Sequence, residues 1–152
     1  MLSKISAFAL LAATAAAVPA GANSRSAQYS WDVQGFTSTC TAATCRYDFN
    51  ISGQTGPAGQ PSFDATGCIG TSVQGEYKAC SKVGIDVPGN VEVQEFNSGR
   101  DIGAIISVKY SFEQSGVRYT YTGNNTVAHT NGGGPIGFTI VPIEVYAVPV
   151  EA

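Results

Sequence analysis

The sequence predicts an all-β protein of one domain, folded as a small antiparallel sandwich or barrel. Apolar residues recur with a period of two in several short stretches, which is the pattern of half-buried strands. Segments rich in Gly, Pro and Ser separate these stretches, as turns do. No run of ten or more residues carries the 3.6-residue apolar stripe of a helix. These observations together favour strands joined by turns.

The alternation is clearest between residues 102 and 122, where two strands are predicted. One face of the first is formed by Ile102, Ala104, Ile106, Val108, Tyr110 and Phe112. The second continues that face with Val117, Tyr119 and Tyr121. Only residues 114–116 separate the two strands, so they are predicted to form an antiparallel hairpin. The same register places the aromatic side chains in the core rather than on a sugar-stacking surface.

Four further strands are predicted along the chain. Two of them have apolar faces made of Tyr29, Trp31 and Val33, and of Tyr47, Phe49 and Ile51. Residues 91–93 form a short candidate strand. The last strand covers residues 138–148, and Pro142 and Pro149 place it near the edge or end of a sheet.

Residues 1–22 are predicted to be a secretory signal peptide. Lys4 precedes an uncharged apolar run over residues 5–17, followed by small-residue cleavage signals at residues 15–17 and 20–22. That run is too short for a membrane-spanning helix, which needs about 20 apolar residues. The mature chain is expected to begin near residue 18 or 23, to be secreted, and to form a single β domain over residues 23–152.

The four cysteines of this exported chain are predicted to form two disulfides. Three connectivities are possible, and loop-closure entropy does not choose among them. We favour Cys40–Cys45 and Cys68–Cys80, because four residues between the first pair match the length of a hairpin loop. A metal site is disfavoured, since the spacing is not CxxC and His129 is distant in sequence.

The charge balance bears on the class of partner. The chain has 8 Lys and Arg against 11 Asp and Glu, a formal net charge of −3, and its basic residues are scattered. Nucleic-acid binding requires a basic patch or stripe. Nucleic acids and membranes are therefore not predicted as partners.

No catalytic, cofactor or metal site is predicted from motifs. His129, the single histidine, suits a general base or metal ligand, but an exposed loop residue is the favoured interpretation. The acidic residues Glu92, Glu95, Asp101 and Glu113 are interpreted as solvated. Asn50 and Asn124 lie in Asn-X-Ser/Thr sequons on the polar faces of their strands, and both are predicted glycosylation sites.

Several segments resemble small secreted fungal proteins of the hypersensitive-response-inducing elicitor type, and distantly the Alternaria major allergen family. They are residues 29–36 (YSWDVQGF), Cys40 to Cys45, residues 46–52 (RYDFNIS), 61–63 (PSF) leading to Cys68, 77–80 (YKAC) and 121–124 (YTGN). The resemblance implies a β-barrel or β-sandwich, an extracellular location, and contact with plant tissue without enzymatic activity. It also implies the Cys68–Cys80 bridge. The chain departs from the allergen pattern by lacking a cysteine pair near the C-terminus and the N-terminal cysteine that links the allergen dimer.

The leading hypothesis is a secreted, non-enzymatic effector or elicitor that binds a host protein or a cell-wall component. An alternative is a fungal cell-wall or carbohydrate-binding protein. The third hypothesis is a small secreted hydrolase or nuclease that uses His129, although the sequence offers neither a nucleophile nor an orienting partner near this residue.

Overall fold

The computed structural model describes residues 28–97 and 102–151, and within them all regular structure is β. The strands are β1 (Trp31–Cys40), β2 (Cys45–Gly53), β3 (Phe63–Thr71), β4 (Lys78–Ala79), β5 (Lys82–Ile85), β6 (Gly89–Asn97), β7 (Ala104–Gln114), β8 (Val117–Val127) and β9 (Ile136–Pro149). The predicted signal peptide, residues 1–22, lies outside the described residues, as does Asp101. Among the residues described, no helix has the length and apolarity needed to cross a membrane.

The nine strands form one antiparallel sheet in the order β4-β6-β7-β8-β9-β1-β2-β3-β5. The sheet curls into a half-barrel, so that β3 packs against β6 although the two strands are not paired. Its concave face holds the core. The largest side chains buried there are Trp31, Phe36, Tyr47, Phe49, Ile51, Ile106, Tyr110 and Ile140.

The predicted alternation of inward and outward side chains is confirmed on β2 and β7 and, across a bulge, on β1, whereas residues 117–122 of β8 are all half-buried except the exposed Arg118. Residues 104 to 112 of β7 bury every second side chain, but Ile102 precedes the strand and is exposed. The predicted hairpin closes with two residues, Ser115 and Gly116, whose positive φ angles of 52° and 74° suit the tight turns that join twisted strands. In β1, the register shifts at Gly35 (φ 66°), which keeps Phe36 in the core after Val33.

Both disulfides have the favoured pairing, Cys40–Cys45 and Cys68–Cys80. Cys80 follows β4, the edge strand beside β6, whereas Cys68 lies in β3 near the other edge. The backbone amide of Cys80 donates to Val91 O of β6 at 2.9 Å, and that of Ser81 donates to Gly67 O of β3 at 3.1 Å. The second disulfide therefore joins the two ends of the curled sheet.

Hydrogen bonds through one side chain also connect the two ends of the curled sheet. The Tyr47 hydroxyl of β2 donates to Gln74 Oε1 at 3.1 Å, and Gln74 Nε2 donates to Val93 O of β6 at 3.1 Å. The side chain of Gln74 thus links strands from opposite ends of the sheet. Burial raises the pKa of Tyr47 to about 12; its hydrogen bond to Gln74 opposes this, and the charge of Glu95 adds to it.

Candidate functional site

A polar cluster lies where the β1–β2 hairpin meets the segment between β8 and β9. Ser38 Oγ of β1 is 2.7 Å from His129 Nδ1, although 91 residues separate the two in sequence. The other ring nitrogen, Nε2, is 3.9 Å from Cys45 Sγ. The sulfur atoms of Cys40 and Cys45 and a ring nitrogen of His129 all lie within 4.8 Å of one another.

Backbone hydrogen bonds hold the histidine segment on the hairpin. The amides of Thr130 and Asn131 both donate to Ser38 O at 2.9 Å, and the amide of Ser38 donates to Thr130 Oγ1 at 2.9 Å. The amide of Cys40 donates to Asn131 Oδ1 at 3.0 Å. Asn131 itself has a φ of 44°, and Gly132 follows with a φ of 88°, so the chain turns sharply just after these contacts. These contacts fix the two residues that follow His129 against β1, and they therefore position the imidazole.

His129 lies in the loop between β8 and β9 as predicted, but it is not exposed. Its side chain is half-buried, and desolvation lowers its pKa below the ordinary value. No local pattern in the sequence revealed this, because the contact depends on β9 pairing with β1 and on the turn at Asn131. No sequence pattern indicates that Ser38 is buried either, because its side chain lies on the inward face of β1 only as a result of the bulge earlier in the strand.

The geometry of the Ser38–His129 pair differs from that of a nucleophilic serine and its base. Ser38 has no exposed surface, so its hydroxyl is closed to a substrate. Nε2 of His129, the ring nitrogen that does not face Ser38, points at Cys45 Sγ. In a catalytic serine–histidine pair the second ring nitrogen is instead held by a carboxylate or carbonyl group, which orients the base. The arrangement suits structural positioning of the imidazole better than acyl transfer.

We expect Ser38→Ala to lower the free energy of unfolding by about 1 kcal/mol, the usual net value of one hydrogen bond. The substitution removes the oxygen 2.7 Å from His129 Nδ1 and leaves the backbone contacts of Ser38 intact. Urea unfolding measures the loss, and Thr39→Ala on the exposed face of the same strand is the matched control. Equal stability of Ser38→Ala and wild type would show that the side-chain contact contributes nothing.

Glu95 is the second unusual polar group. Its side chain is 1% exposed in β6, and neither carboxylate oxygen has a hydrogen-bond partner among the described residues. Desolvation raises its pKa from 4.5 to about 7. The sequence interpretation of Glu95 as solvated is therefore wrong, since its position in the strand continues the inward face of Val91 and Val93. Glu92 and Glu113 are half-buried, and they lie apart from Glu95 in a groove with Arg118.

The second half of β9 carries several of the strongly exposed large apolar side chains in the described part of the chain. We name residues 141–150 the β9 surface. β1 pairs with β9 only as far as Ile140, so among the residues that the structure describes β9 is paired from Val141 onward on one side, with β8. Its strongly exposed apolar side chains are Ile143 (67%), Val145 (54%), Tyr146 (62%) and Val148 (59%). The prediction of a strand near an edge thus holds for this half of β9 alone.

A groove runs along the unpaired side of the β9 surface. Its volume is about 280 Å³. It is lined by Gln28, Tyr29, Gln60, Tyr121 and residues 141–145. Gln60 Nε2 donates to the Tyr121 hydroxyl at 3.2 Å, which fixes one wall. The groove therefore combines an apolar strand with several hydrogen-bonding groups.

The predicted glycosylation sites lie on the outer face of the sheet. Asn50 and Asn124 are both exposed, and Asn50 Oδ1 accepts a hydrogen bond from the Gly67 amide at 3.2 Å.

The predicted role of the aromatic side chains in the core holds fully for Tyr110 and Phe112, which are buried, whereas Tyr119 and Tyr121 are half-buried. Phe112 stacks on both of these tyrosines.

Comparison of the chain with protein-family models, with curated proteins and with solved structures gives no match.

Proposed function

We propose that this protein is a secreted, non-enzymatic effector or elicitor, and that it binds its partner through the β9 surface. The observation that carries the proposal is the long half-strand that no described residue pairs on one side and that exposes four large apolar side chains. Val145 lies on the same face of the sheet as its partner Tyr121, and Tyr146 and Val148 lie on the opposite face, so the strand presents apolar side chains on both faces beside its edge. Exposed apolar surfaces are a feature of interaction sites.

The shape of the β9 surface suits addition of an extended segment from a partner. An unpaired strand edge offers a row of backbone donors and acceptors, to which a partner strand binds while its side chains enter neighbouring pockets. The adjoining groove supplies such a pocket beside Tyr121 and Gln60. Only one charged residue, Glu144, interrupts residues 141–150, so little opposes close approach of an apolar partner.

Sequence features support the extracellular part of the proposal. A signal-like N-terminus and two disulfides are typical of exported proteins. The resemblance to hypersensitive-response-inducing elicitors favours a plant protein or a cell-wall component as the partner. The closed environment of Ser38 argues against a hydrolase built on His129.

Infiltration of plant leaves tests this function directly. The oxidised mature protein should elicit or suppress cell death and the oxidative burst, whereas a reduced and alkylated sample should do neither. His129→Ala should retain the full response, because the imidazole has no catalytic role in this proposal.

Two outcomes would contradict the proposal. Loss of the response in a folded His129→Ala protein would favour the hydrolase or nuclease. Retention on insoluble wall polysaccharide, without any effect on leaf responses, would favour the carbohydrate-binding alternative.

A further inference from the structure

We propose that reduction of the Cys40–Cys45 disulfide converts the hairpin into a binding site for one thiophilic metal ion of the zinc class, held by Cys40, Cys45 and His129. Their potential ligand atoms already lie within 4.8 Å of one another. Two thiolates and one imidazole with an open fourth position form a familiar zinc ligand set. His129 is distant from both cysteines along the chain, and the fold brings its Nε2 atom to 3.9 Å from Cys45 Sγ.

The orientation of His129 is that of a metal ligand. When its proton is on Nδ1, the ring donates to Ser38 Oγ at 2.7 Å, and the lone pair of Nε2 is directed toward Cys45 Sγ. Ligating histidines commonly donate their other ring nitrogen to an oxygen in this way, which fixes the tautomer.

The site does not need the disulfide to hold its parts together. Main-chain hydrogen bonds join Ser38 to Thr130 and Asn131, and the Asn131 side chain accepts from the Cys40 amide. β1 and β2 are paired up to the two cysteines themselves. Breaking the S–S bond therefore leaves both thiols and the imidazole on a fixed hairpin.

The two disulfides differ in access to a reductant. Cys45 is only 4% exposed but its partner Cys40 is half-buried, whereas Cys68 is fully buried and Cys80 is 6% exposed, so a reductant can reach the first disulfide at Cys40. Two molecules of a low-molecular-weight thiol supply two electrons and two protons. The S–S bond of Cys40–Cys45 breaks, two cysteine thiols form, and the donors join as one disulfide. Metal binding then displaces the two thiol protons into solvent.

Cobalt(II) is the probe for the test, because its absorption reports both tetrahedral geometry and thiolate ligation. The full mature protein is treated with a thiol, desalted under argon and titrated with Co²⁺ and then Zn²⁺. Alkylation and mass spectrometry identify the reduced pair, and circular dichroism follows the sheet. We expect one Co²⁺ per chain with thiolate charge-transfer bands, displaced by Zn²⁺, in a protein that keeps its β-sheet signal.

Variants separate this site from adventitious binding. Ser38→Ala should weaken the affinity about tenfold, and His129→Ala more than about 100-fold, since loss of an outer partner costs 10- to 100-fold and loss of a ligand costs more. Cys40→Ser/Cys45→Ser should abolish the thiolate bands. His129→Gln serves if the alanine variant does not fold.

Three results would overturn the proposal. They are equal affinity in wild type and a folded His129 variant, thiolate bands in Cys40→Ser/Cys45→Ser, and loss of the sheet signal on reduction of Cys40–Cys45.

Discussion

Replacing Cys68 and Cys80 together by alanine should lower the free energy of unfolding by about 3 kcal/mol, and replacing Cys40 and Cys45 should lower it by about 2 kcal/mol. Sequence separations of 12 and 5 residues set these values through the entropy of loop closure in the unfolded chain. The first loss is a large part of a total stability of about 5–15 kcal/mol.

The structure of the folded state also indicates that Cys68–Cys80 contributes more to stability than Cys40–Cys45 does. Cys68–Cys80 joins the two ends of the curled sheet, whereas Cys40–Cys45 ties two residues that are already partners in a paired hairpin. Urea unfolding of both double variants measures the difference, with the wild type as reference. A larger loss for the Cys40–Cys45 variant would contradict the role assigned to the second disulfide in closing the half-barrel.

We expect Glu95→Gln to raise the free energy of unfolding over that of the wild type, and this gain should be about 3 kcal/mol larger at pH 8 than at pH 4.5. The folded-state pKa of Glu95 is raised from 4.5 to about 7, and each pKa unit corresponds to about 1.4 kcal/mol. The native state therefore holds the proton more tightly than the unfolded state does. This contribution is fully present below pH 4.5 and is lost as the pH rises through 7.

The difference between the two unfolding curves isolates Glu95 from His129. The depressed pKa of His129 acts in the opposite direction, because its contribution is lost as the pH falls, but it is present in both proteins and cancels. Glu92→Gln, three residues earlier on the same strand and half-buried, is the matched control. Stability curves of wild type and Glu95→Gln that run parallel from pH 4.5 to 8 would contradict an unpartnered buried carboxyl.

Residue patterns along the chain were sufficient for the strands that form the core. Alternation in β2 and β7 is regular, and in β1 it resumes after a bulge, because one face of each strand packs into the core on the concave side of the sheet. The short edge strands β4 and β5 were missed, since two and four residues are too few to show a period. β3 was missed as well, because Gly67 and Gly70 interrupt its apolar face.

The candidate sites depend on contacts that no local pattern contains. Ser38 and His129 meet because β9 returns to pair with β1, and Glu95 is buried because the sheet curls β3 over β6. The exposure of the β9 surface arises where β1 stops pairing with β9 at Ile140. Each is a property of strand pairing over long separations, which alternation along one strand does not encode.

A dose–response comparison in leaves tests most directly whether the β9 surface is the binding surface. Tyr146→Glu/Val148→Glu places two acids on exposed apolar positions of β9, and Thr39→Glu/Val73→Glu places the same charge on exposed positions elsewhere. Both proteins should melt at the wild-type temperature. The β9 variant should need a dose at least about tenfold higher for a half-maximal response, as expected for loss of an aromatic anchor, while the control variant should match the wild type. Equal potency of the β9 variant and the wild type would contradict the account.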